Sequence, residues 1–154
     1  MNKIDELEMK IKELSEEIER LKAEKENEVW EPEYGERYYY IAGHGYVESD
    51  TRGRNYWYDT RYAIGNVFRT QEEAEFRAEQ LKVEAELRRF ARPFVEGEGN
   101  FMFTYNHGRD EILTDYFEYT QYINIHFASR EIAQKAIDTV GEERIKKYYF
   151  GVEE

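Results

Sequence analysis

Thr51–Arg69 is the stretch of this chain whose residue types could do chemistry. It holds Arg52, Arg54, Arg61 and Arg69 with a single acid, Asp59, and so carries +3 in a protein of net charge −12. Tyr56, Trp57, Tyr58 and Tyr62 are interleaved with those arginines. Guanidinium groups grip phosphate, and aromatic faces stack on bases or cations. Arg52, Arg54, Trp57, Tyr58 and Arg61 are therefore the candidate ligand-binding residues, for a nucleotide or another phosphorylated ligand. The competing expectation is that the same residues pack and pair on a sheet surface.

Three histidines are the other candidates. His44 and His107 sit in the turns Gly43-His44-Gly45 and Asn106-His107-Gly108. Proton transfer or metal binding there needs a carboxylate such as Asp50 or Asp110 aimed at the ring. His126 alternates inside the run YINIHF and reads as a packing residue. No spacing assigns a catalytic residue, a metal ligand or a cofactor, and neither Gly43-His44-Gly45 nor Gly97-Glu98-Gly99 has a phosphate-loop pattern. Arg88, Arg89 and Arg92, and likewise Lys146 and Lys147, read as bases matched to the negative ends of helices.

The elements that must position these groups begin with a heptad seam. Ile4, Leu7, Ile11, Leu14, Ile18 and Leu21 alternate spacings of three and four, with Ile at every "a" and Leu at every "d". That choice favours a parallel two-stranded coiled coil. In such a dimer Lys3 meets Glu8 and Glu17 meets Lys22 across the pair. An antiparallel pair, a larger oligomer or a helix folded back on its own domain are the alternatives. The expected organisation is an oligomerisation helix over residues 1–28 and one aromatic-rich domain over 29–154.

Composition narrows the function classes. The body is rich in aromatics, with 14 Tyr, 9 Phe and 2 Trp in the whole chain, which suits half-buried sheets with wet hydroxyl ends. There is no Cys, which excludes disulfides and thiolate metal sites and fits a reducing cytosol. The charged start and the lack of a long apolar run argue against a secretory signal or a membrane span. The strong negative charge disfavours direct binding to nucleic acid or lipid headgroups and favours basic partners, or else simply keeps the protein soluble.

The body reads as α+β, one compact domain of antiparallel strands with two main helices, whose stretches 36–92 and 100–150 also read as two copies of a ββ-strand-helix unit. Arg37–Ala42 and Tyr46–Glu48 form a hairpin, followed by a loop to Asn55, a strand or irregular stretch over Tyr56–Ile64, and a short strand at Val67-Phe68. Thr70 and Glu73 then make a capping box for a helix reaching about Ala91. In the second half Phe101–Tyr105 and Glu111–Asp115 form a hairpin, and Tyr122–Phe127 is a third strand. Ser129 caps a helix over Glu131–Val140 that Gly141 ends, and a short helix covers Glu142–Tyr148. Phe68-x-Thr70-x-Glu72-x-Ala74 and Phe127-x-Ser129-x-Glu131-x-Ala133 are the shared signature.

Trp30-x-Pro32-x-x-Gly35-x-x-Tyr38-Tyr39, the run Gly65-Asn66-Val67-Phe68-x-Thr70-x-Glu72-Glu73-Ala74-Glu75, Phe127-x-Ser129 and Gly141–Tyr148 resemble a family of small accessory proteins from phages and prophages of Gram-positive bacteria. The resemblance spans most of the chain, and its motifs are structural rather than catalytic. It implies expression in the cytosol of an infected bacterium and a host protein as partner, host defence machinery included. The resulting expectation is a non-enzymatic, dimeric, cytoplasmic accessory protein that binds a host protein with a basic surface through an acidic face. The alternative is a protein that sequesters a phosphorylated ligand through the Arg/Tyr segment.

Overall fold

The computed structural model describes residues 2–153 as an α+β protein. Residues 1 and 154, the outer limits of the two expected regions, lie outside the described residues. The chain divides into two compact units, residues 1–33 and Tyr34–Glu154.

The first unit is built on α1, Lys3–Glu26. Asn2 Oδ1 accepts the Ile4 and Asp5 amides, and Asp5 returns a carboxylate to the Asn2 amide at 3.1 Å, closing a capping box. Glu17 with Arg20 and Glu19 with Lys22 pair along the exposed surface. None of the residues of α1 is buried.

The second unit repeats one plan twice. In the first copy β1 (Arg37–Ile41) pairs antiparallel with β2 (Val47–Thr51). Gly45, at φ +85°, turns the chain between them. Phe68 then returns to the free side of β1, exchanging both backbone hydrogen bonds with Tyr39. Thr70 caps α3 (Gln71–Arg88) by accepting the Glu73 amide. In the second copy β3 (Asn100–Asn106) pairs with β4 (Glu111–Phe117), and Phe127 exchanges both bonds with Phe101. Ser129 caps α4 (Arg130–Val140), which stops at Gly141.

Each copy prolongs its single bridge with an asparagine. Asn66 accepts the Ile41 amide and donates to the Ile41 carbonyl, at 2.7 and 2.8 Å, so its side chain imitates the next residue of a strand. Asn124 donates to the Phe103 carbonyl at 3.3 Å in the second copy. Ile41 and Phe103 each lie two residues beyond the bridged residue of their strand.

Four expectations need correction. Tyr56–Ile64 is not strand or irregular: Tyr56–Ala63 is a helix, α2, capped by Asn55 Oδ1 on the Tyr58 amide. The β-propensity of its aromatics is overridden by packing, because the helix stacks Tyr58 on Tyr62 and sets Tyr58 edge-on against Tyr38 at 5.5 Å. Val67-Phe68 and Tyr122–Phe127 are not full strands: each pairs through a single bridged residue, Phe68 or Phe127, and the side chain of Asn66 or Asn124 makes the next contact with the facing strand. The Thr70 capping box is incomplete: Glu73 reaches the Arg69 amide instead of that of Thr70. The last short helix is α5 (Glu142–Arg144) followed by a π-helical turn, Ile145–Tyr149.

Two cores result. Val83, Leu87, Phe103, Ile125, Phe127, Ala133, Ala136, Val140 and Ile145 form the main apolar cluster. Tyr38, Tyr58, Ala74 and Ala78 are buried outside it. α3 joins the cluster through Val83 and Leu87 in its C-terminal half, while Ala74 and Ala78 are buried in its N-terminal half.

Candidate functional site

The fold separates the five candidate ligand residues. Arg52, Arg54 and Tyr58 border an open hollow of about 640 Å³ together with Tyr34, Tyr56 and Asp59. Trp57 and Arg61 border a different one, of about 410 Å³, with Tyr40, Glu48 and Ile64.

Arg61 is committed to structure. Its Nη1 donates to the Tyr38 hydroxyl at 2.7 Å and to Asp50 at 2.9 Å, and its guanidinium lies 3.5 Å from the centre of the Tyr40 ring. The Arg61 hydrogen bond, joined by one from the Thr51 amide, holds the Asp50 carboxyl below its ordinary range. Tyr40 donates to Glu48, and this bond lowers the carboxyl and raises the phenol. Arg52 lies over the Tyr58 ring at 4.8 Å. Arg54 is exposed and has no hydrogen-bond or ion-pair partner among the described residues. The structure thus places Arg52, Arg54 and Tyr58 around one hollow, and assigns Arg61 to holding β1, β2 and α2 together.

The histidines do not converge on a reaction centre. His44 contacts Glu48, not Asp50, at 3.1 Å on the surface. His107 packs edge-on against Tyr105, whose hydroxyl donates to Asp110. Asp110 in turn pairs with Lys146, which also meets Glu142 and Glu143 at 3.5 and 3.6 Å. Lys146 is therefore a buried tie among three carboxylates. Burial pulls its ammonium down, and those acids more than offset the pull, leaving it above its ordinary value. His126 is buried as expected for a packing residue. Among the described residues no group of three His, Cys, Asp or Glu could hold a metal ion, and no helix is long and apolar enough to cross a membrane.

Arg92 also differs from its expected role. α3 ends before it, and it donates to Glu98 and to the Gly99 carbonyl. Arg144 ties α5 to α3 through a two-pronged bond to Glu86, at 2.9 and 3.0 Å.

Sequence reasoning missed an acidic, aromatic surface on the second half. Residues 94–123 carry six acids (Glu96, Glu98, Asp110, Glu111, Asp115, Glu118) and one base, Arg109. All six acids are exposed. Asn100, completely buried, ties two loops: its side chain donates to the Val95, Glu98 and Phe117 carbonyls and accepts the Val95 amide. The Gly97 amide donates to the Glu118 carbonyl at 2.9 Å. Glu96, Glu98 and Glu118 are thereby gathered beside Tyr119, which is 72% exposed. Tyr122 packs on Phe117 at 4.9 Å, and Ile123 is fully exposed. The available signal was the charge count between Phe94 and Ile123, which lay hidden in the whole-body total.

The seam residues of α1 remain open: Ile4, Leu7, Ile11, Leu14, Ile18 and Leu21 are each at least half exposed. Compared with family models, curated proteins and solved structures, the chain matches none. What the arrangement offers chemically is recognition by surface: one basic aromatic hollow, one acidic aromatic ridge and one apolar helical stripe.

Proposed function

We propose that this protein is a non-enzymatic accessory protein that acts as a dimer by binding another protein. The exposed Ile/Leu stripe of α1 carries this reading. Six apolar side chains on a helix with no buried residue leave α1 without a tertiary reason to be amphipathic, and a second copy supplies one. The Ile-at-"a", Leu-at-"d" choice selects the parallel pair. The partner is a protein with a basic surface, since the body carries most of the net charge of −12. The resemblance to phage accessory proteins sets the scene in the cytosol of a bacterial host, where the partner is a defence or nucleic-acid-handling protein.

Leu14→Ala in the full chain tests the dimer. Loss of a buried core leucine costs about 2–5 kcal/mol, and each dimer loses two. Sedimentation should show a dimer dissociating at far lower dilution than the native one, with the body still folded. A native chain that is monomeric at every concentration would overturn the reading.

A second reading keeps the phosphorylated ligand. The observation favouring it is the unpaired, exposed Arg54 beside Tyr56 and Tyr34 around one hollow. Arg54→Ala should then abolish calorimetric binding of a nucleotide, whereas Trp57→Ala, on the other hollow, should leave it unchanged.

A further inference from the structure

The acidic ridge has a built frame. Asn100 and the Gly97–Glu118 bond lock the turn at 95–99 onto the end of β4, so Glu96, Glu118 and Tyr119 hold fixed positions without touching a ligand. Of the gathered acids, Glu98 is neutralised by Arg92. Glu96 and Glu118 have no ion-pair partner among the described residues. The chain beyond them displays Tyr119, Tyr122 and Ile123, at 72%, 46% and 109% exposure. Scattered exposed apolar groups are ordinary on a protein surface. Three within five residues of chain, directly following the unpaired Glu118, bring an apolar anchor and two phenol faces to the end of the braced turn, and Tyr122 and Ile123 border an open hollow with Glu84 and Arg88, which are paired with each other.

We infer that the loop 118–123, with the turn 95–99, is a docking surface for a basic protein segment in which arginine or lysine side chains alternate with aliphatic ones. This rests on the reading of the protein as a binder of basic partners, and it says where on the body that binding occurs. Charge complementarity selects the occupant. Residues 94–123 have a net charge of −5, so a second copy set face to face on this ridge meets like charge, and phosphate-bearing ligands are repelled. A cationic side chain gains twice, from Glu96 and Glu118 as charges and from the Tyr119 and Tyr122 faces as cation–π platforms. Ile123 supplies the apolar contact that an aliphatic neighbour on the segment would cover.

The test uses the full chain and a labelled peptide that alternates arginine with leucine, with a glutamate–leucine peptide as control. The native protein should bind the first saturably and the second not at all. Tyr119→Ser with Ile123→Ser should weaken binding by about tenfold or more, the loss expected for removing an anchor. Glu96→Gln with Glu118→Gln should weaken it and flatten its salt dependence. All four side chains are exposed, so an unchanged thermal transition shows that each variant is folded. If both variants bind as the native protein does while Glu72→Gln, Glu75→Gln and Glu79→Gln on α3 abolish binding, the basic-partner reading stands and this surface is wrong. If the native chain ignores the arginine peptide, both fail. Assembly beyond a dimer in native light scattering, reversed by Ile123→Ser, would instead make a second copy the occupant.

Discussion

Residues 37–88 and 100–140 follow the same course: a hairpin, a connection, one residue bridged back to the first strand, a hydroxyl cap and a helix. They differ in what holds the course together. The second half contributes Phe103, Ile125, Phe127, Ala133, Ala136 and Val140 to the main apolar cluster. The first half contributes to it only through the end of α3, and its hairpin is closed by Tyr38, Tyr58, Arg61 and Asp50. The connections differ in charge as well. The first carries Arg52, Arg54 and Arg61, and the second borders an acidic turn. One frame can thus be stabilised by apolar burial or by an aromatic–guanidinium network, and the two connections between hairpin and bridge share only the asparagine that prolongs the bridge, Asn66 or Asn124.

The sharpest way to break this comparison is at the two bridged phenylalanines. Phe127 is completely buried and lies 4.8 Å from the Phe103 ring. Phe127→Ala should destabilise by about 3–5 kcal/mol, read from denaturant midpoints. Phe68 holds the same place in the plan but is only half buried. Phe68→Ala should therefore cost less, roughly 2 kcal/mol or under. Equal losses would show that both halves draw on one core.

The next effect isolates the first half's own device. Arg61→Met keeps much of the side chain's bulk but leaves Asp50 and the Tyr38 hydroxyl without their donor. Asp50 is partly solvated, its side chain 40% exposed, which reduces the loss. The expected cost is about 1–2 kcal/mol. Arg61→Lys should not restore it, because one ammonium cannot bond both groups and also lie flat on Tyr40. A fully stable lysine variant would mean that the charge alone matters.

The plan was legible in the sequence where a physical rule acts locally. The hydroxyl at Thr70 and Ser129, followed by a first-turn acid and a buried alanine, marks both helix starts whatever the rest of the fold does. Both hairpin turns carry glycine, which marks their place in the chain. The connections were not legible, because their conformation is decided at a distance. Tyr56–Ala63 has strand-like aromatics, yet it is helical because Tyr58 must reach Tyr38, twenty residues earlier. The bridges at Phe68 and Phe127 looked like strands since nothing local reveals that Asn66 and Asn124 will stand in for backbone. The Arg/Tyr group suggests one site because its members are close in sequence. A helical turn sends Tyr58 inward beside Arg52 and leaves Trp57 on the other hollow with Arg61. The acidic ridge was invisible for the opposite reason: Glu96 and Glu118 lie far apart in the chain and meet only through Asn100 and the Gly97–Glu118 bond.

The smallest effect expected is a pH dependence confined to the second half. His126 is 6% exposed and packs edge-on against Phe94 at 5.6 Å. Burial, reinforced by the positive charge of Arg92, holds its folded-state pKa below the ordinary 6.5. The unfolded chain therefore takes up a proton before the folded one does. The resulting contribution to stability is fully present above pH 6.5, and it is lost as pH falls from there through the lower folded value. Arg92 is bonded to Glu98 and Gly99, so its charge stays in place as the imidazole titrates. His126→Phe removes the titrating group while keeping a ring beside Phe94. Thermal melts of the variant should lose part of the decline that the native protein shows between neutral pH and the onset of carboxylate protonation. A His126→Phe variant that kept the whole of the native decline would show that another group carries it.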